Sequence, residues 1–129
     1  MSTRTLDWWR QAERDLNLAR LARDAACHEW ACFAAHQAAE KAVNALHLAH
    51  GQEAWGHVVA RLIQELPEPL RPGPDLLEKA RVLDGYYVPT RYPNGHPEGP
   101  PFEHYGPLQS ELALQYAGEI LAFVRDRLA

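Results

Sequence analysis

Arg91 and His96 stand in the run RYPNGH, an R-x4-H spacing inside the most unusual stretch of the chain. Arginine carries a permanent charge on a planar fork that can grip a phosphate or carboxylate at two points. Histidine titrates near neutrality and can take or give a proton. The pair therefore has the chemistry to clamp a phosphodiester and deprotonate a ribose 2′-hydroxyl, as metal-independent RNA cleavage requires. A plainer reading of the same residues makes Arg91 a loop brace, bonded to carbonyls or to Asp84, and His96 a solvated turn residue. Tyr87, Tyr92 and Tyr105 offer faces on which bases stack, with Asn94 beside them as a further nucleotide- or RNA-binding candidate. Tyr86 and Tyr87 also suit the closing of a bundle's end, with their hydroxyls on backbone partners.

Other clusters carry weaker chemistry. His28, Cys32 and His36 recur at i, i+4 and i+8, but a straight helix cannot wrap three ligands around one ion. Alanines and Phe33 surround Cys32, which suits a small core side chain. No metal and no cofactor is expected. His47 and His50 fall at a helix C-terminus, where they can meet the last carbonyls and the dipole. Gln37, Glu40 and Lys41 interrupt an alanine-rich helix and read as its exposed face. Phosphate-cradling glycine loops, nucleophile elbows and paired-carboxylate motifs are absent.

The elements that must position these residues are helical. Twenty alanines and seventeen leucines face only eleven Val, Ile and Thr in 129 residues, a ratio that favours helix over sheet. All ten prolines lie between Pro67 and Pro107, so long helices are expected before and after that region. The periodicity predicts helices over about 6–25, 28–50, 54–66, 75–83 and 108–128, a single all-α domain spanning 1–129. The second, rich in alanine, belongs at the centre of an antiparallel up-down bundle. Because alanines occur on several of its faces, a homodimer is expected to complete its cover. The 24 residues from Asp84 to Pro107 hold six prolines, four glycines and four tyrosines, which predicts an ordered functional loop. A net charge of −4 argues against coating duplex nucleic acid by phosphate neutralisation alone. The first fifteen residues lack a signal-peptide pattern and no apolar run reaches membrane length, so a cytoplasmic location is expected.

The runs WWRQAERDLNLARLA and ACFAAHQAAEKAVNALHLAHG, His57-x4-Leu62 and DGYYVPTRYP together resemble the HEPN family (higher eukaryotes and prokaryotes nucleotide-binding) from about Asp7 to Leu128. The resemblance implies an antiparallel helical bundle that often dimerises. It implies one of two activities. The first is a ribonuclease, frequently a toxin, whose R-x4–6-H motifs meet at the dimer interface, with Arg91 orienting the phosphate and His96 as acid/base. The second is a non-catalytic nucleotide-binding or interaction partner of a minimal nucleotidyltransferase. This sequence departs from the catalytic pattern at Tyr92, where a polar residue usually follows the arginine.

Overall fold

The computed structural model describes residues 1–128 and contains five α-helices and no strands among them. Helix α1 (Thr3–Asp24) starts at Ser2, whose hydroxyl accepts from the Thr5 amide at 3.1 Å. Trp9, Ala12, Leu16 and Ala19 form its buried stripe, as helical spacing predicts. Residues 25–27 turn the chain back into α2 (His28–Ala49), and α2 ends where Gly51 takes a left-handed φ of 72°.

Helix α2 is the centre of the bundle, packed against α1 and α5. Ala31, Ala34, Ala35, Ala38, Ala39, Ala42 and Ala45 are all buried within one chain. The alanines therefore create no need for a second copy and do not support a homodimer. Larger apolar side chains are left exposed near the α1–α2 turn, among them Leu18, Leu21 and Trp30.

Helix α3 (Val59–Gln64) is shorter than the spacing predicts. The predicted start at Ala54 is wrong because residues 52–58 run as an irregular segment, bent at Gly56 with φ of 97°. Trp55, expected on the inward stripe, is 79% exposed, and Val58 is also exposed. Helices α4 (Pro74–Asp84) and α5 (Pro107–Leu128) begin at prolines, whose missing N–H costs nothing in a first turn. Ala113, Leu114, Ala117, Ile120, Leu121 and Val124 carry α5 into the core. No helix among the described residues is long and apolar enough to cross a membrane.

Candidate functional site

The predicted loop between α4 and α5 is ordered, with short 3-10 turns at Pro93–Gly95 and Pro101–Glu103. Tyr86 and Tyr105 meet edge-on at 6.0 Å and pack against the core. Burial pushes the Tyr86 hydroxyl up to about 12 and raises that of Tyr105. Thr90, buried, donates its hydroxyl to the Tyr86 carbonyl. These contacts fix the base of the loop against the bundle.

Arg91 projects from that base into an aromatic enclosure. Its guanidinium carbon lies 4.4 Å from the Phe33 ring centre, 4.6 Å from Tyr87 and 5.1 Å from Tyr92. Its Nε donates to the Tyr87 carbonyl at 2.8 Å, so the brace reading holds for that one atom. Asp84 does not pair with it. Among the described residues no carboxylate does, and both Nη groups lack a protein acceptor. A planar cation held between rings and without a counter-charge is a ready acceptor of an anion.

His96 is engaged elsewhere. Its Nε2 donates to the Pro89 carbonyl at 2.7 Å, and its ring stacks on His104 at 4.0 Å with 3° between the planes. The Tyr105 ring stands edge-on to it at 5.8 Å. His96 is thus a half-buried clasp rather than a solvated turn residue. Of the predicted site residues, the fold gathers Arg91, Tyr87 and Tyr92 in one place. It places His96 and Tyr105 in a second cluster within the loop. Asn94 is exposed in the turn between them.

A seam of polar side chains runs beside Arg91. Asp84 accepts the Val59 and Ala60 amides at 2.7 and 3.0 Å and so caps α3 from the end of α4. His36, fully buried, shares its Nε2 proton between Asp84 Oδ1 at 3.2 Å and the His57 carbonyl at 2.9 Å. Its Nδ1 accepts from Gln37 Nε2, whose Oε1 in turn accepts from Lys41. Lys41 then reaches Asp15 at 2.6 Å. Gln37 and Lys41 are therefore half-buried and Glu40 only 6% exposed, which corrects the exposed-face expectation. Lys41 and Glu40 have partners distant in sequence, Asp15 and His57, and Gln37 bonds His36 and Lys41 on its own helix, which removes the cost of burial.

His57 ends this seam. Its Nδ1 donates to Glu40 Oε1 at 3.1 Å, and its ring stacks on Tyr87 at 4.8 Å with 18° between planes. The Tyr87 ring thus carries His57 stacked on it and has Arg91 over it. Tyr87 and His57 line a cleft of about 490 Å³ with Val58, Asp84 and Pro89. His57 and Glu40 line a second, of about 430 Å³, walled by Trp8 and Trp55. Glu40, His57 and Phe33 are visible in the sequence, but motif reading gives none of them a place in the site. The available signal was a carboxylate among the alanines of α2, in the run QAAEKA.

The remaining candidates are structural. His28 bonds Ser110 at 2.8 Å and Cys32 is buried, with its thiol pushed up to about 12 by burial and then by the Glu29 charge. His47 bonds the Leu62 carbonyl at 2.7 Å and Gln52, tying α2 to α3 rather than to its own last turn. Among the described residues no three His, Cys, Asp or Glu side chains converge to hold a metal ion.

A family model described as "HEPN domain" matches residues 5–127. The fold is similar to the crystal structure of TT1696 from Thermus thermophilus, with 49% identity and a TM-score of 0.95 over 98% of this chain and 99% of that one. It is also similar to ST0689, described as an archaeal HEPN homologue, at 38% identity and TM-score 0.84 over 100% of both chains. An HEPN domain protein from Thermotoga maritima, tm0613, matches at 31% identity and TM-score 0.76 over 93% of this chain and 95% of that one. No protein of curated function matches the sequence.

Proposed function

The chain belongs to the HEPN domain family, and from that premise we propose that it binds single-stranded RNA or a nucleotide through Arg91. The observation that carries this reading is the guanidinium held among Phe33, Tyr87 and Tyr92 with both Nη groups unclaimed. The Nη groups take the phosphate. The exposed Tyr92 ring offers a face to a base, with Asn94 beside it. A site built on one cation suits a chain of net charge −4, which would repel an extended polyanion away from this point.

Arg91→Ala is expected to weaken binding of a mixed-sequence single-stranded ribo-oligonucleotide by about tenfold or more, and to reduce the salt slope of binding by about one. Arg91→Lys should fall between, because it keeps the charge and loses the fork. Fluorescence anisotropy across a salt series checks this. Equal affinity and equal slope in Arg91→Ala would remove the proposal.

The protein works in this reading as a homodimer, the state in which it would also meet a minimal nucleotidyltransferase if one is its partner. What supports a second copy is an apolar groove of about 440 Å³ between Leu18 and Ala22 of α1 and Trp30, Phe33 and Ala34 of α2. Phe33 belongs both to this groove and to the enclosure around Arg91, so a partner there would border the anion site. Sedimentation equilibrium is expected to give a dimer at micromolar concentration; a monomer would refute this part.

A further inference from the structure

We propose that His57, oriented by Glu40, is the proton-transfer residue of the Arg91 site, acting on the ribose 2′-hydroxyl next to a bound phosphodiester. The proposal rests on the Arg91 reading and assigns it an active group that the R-x4-H motif does not contain. Glu40 can only accept, so His57 Nδ1 holds the proton and Nε2 presents a lone pair. The His57 side chain is 58% exposed, Nε2 has no protein partner among the described residues, and the Glu40 side chain behind it is 9% exposed. A buried carboxylate that fixes the tautomer and supports the imidazolium is the arrangement of a working general base. His96 differs in what holds it: its Nε2 proton goes to the neutral Pro89 carbonyl rather than to a carboxylate, and its face is stacked on His104.

The geometry suits one phosphodiester. The Arg91 guanidinium and the His57 ring lie 4.6 and 4.8 Å from the same Tyr87 ring centre, so they are no more than 9.4 Å apart. In this proposal the phosphate lies on the Nη groups, the ribose in the cleft that His57, Tyr87 and Val58 line, and its 2′-hydroxyl at Nε2. The proton passes from O2′ to Nε2, the O2′–P bond forms and the P–O5′ bond breaks. The departing O5′ takes a proton from water, and His57 returns its own to solvent. The products are a 2′,3′-cyclic phosphate end and a 5′-hydroxyl end, with no redox change.

The test pairs a mixed-sequence single-stranded ribo-oligonucleotide with its all-2′-O-methyl counterpart, which binds but cannot react. Wild type is expected to cut the first to cyclic-phosphate ends under single turnover. His57→Ala should slow this about 100-fold or more while binding the 2′-O-methyl strand within about twofold of wild type. Glu40→Gln should lose about tenfold or more, and Glu40→Asp should recover part of that rate, which a purely structural carboxylate would not require. A wild type that binds the 2′-O-methyl strand through Arg91 but leaves the ribo-strand intact overturns the proton-transfer proposal and spares the binding reading. Cleavage lost in His96→Ala but kept in His57→Ala overturns it as well. A wild type that neither binds nor cleaves overturns both readings.

Discussion

The Tyr/Pro loop before α5 and the polar seam along α2 border the same arginine and use their polar groups in opposite ways. In the loop, side chains bond the loop's own backbone: Thr90 to Tyr86, Arg91 Nε to Tyr87, His96 to Pro89, His104 to Glu98. Such bonds hold a proline-rich segment that has no ladder of its own. Along the seam, side chains bond other side chains across elements, from Asp15 on α1 through Lys41, Gln37 and His36 on α2 to Asp84 on α4. A chain of that kind is costly to build and costly to break, because each buried member depends on the next. It holds the His57 carbonyl through His36, while Glu40 takes the His57 Nδ1 proton and Nε2 has no protein partner among the described residues. A composition rich in tyrosine, proline and glycine identifies where backbone is hard to satisfy. It does not by itself identify where reactive groups are held free.

Asp84 is where the two regions meet, and its removal is the harshest way to break the contrast. Asp84→Ala orphans the Val59 and Ala60 amides and takes one acceptor from His36. We expect a loss of about 2–4 kcal/mol in urea unfolding, combining a lost helix cap with buried donors left unpaired. Asp84→Asn keeps one acceptor oxygen and should lose roughly half as much. Hydrogen exchange should rise first over 57–64, since α3 is too short to hold itself together without that cap. Exchange that rises instead in the loop, with α3 still protected, would mean that the seam is not the support of this end of the bundle.

What the sequence made legible follows from the range of each interaction. The helix starts beside Pro74 and Pro107 and the stop at Gly51 depend on residues adjacent to the helix ends, and the five-helix architecture could be read from them, although α1 begins at Thr3, ahead of the expected start near residue 6. The start of α3 could not, because its cap is Asp84, about 25 positions downstream. A local pattern running through Trp55 and Val58 continues the apolar spacing without knowing where the amides find an acceptor. The same limit hid the burial of Glu40, whose partner His57 is 17 positions away, and of His36, whose partner is 48 away. Arg91 and its tyrosines were visible because they crowd into one segment. Phe33, the third wall of the enclosure, lies on α2 and carries no motif.

Gly95 tests the loop half of the contrast, with a smaller expected effect. Its φ is ordinary, so the constraint is space: a Cβ there would sit 2.8 Å from the Pro89 Cα, which is backbone and cannot swing aside. Gly95→Ala should open the 89–96 turn, break the His96 clasp and cost about 1–3 kcal/mol. Because the loop satisfies itself, the damage should remain within it. Hydrogen exchange should increase at 89–96, while the His57 and His36 ring resonances keep their wild-type shifts. If those resonances move with the clasp, the loop and seam are one coupled unit. The division between a self-contained brace and a separately supported proton-transfer group then fails.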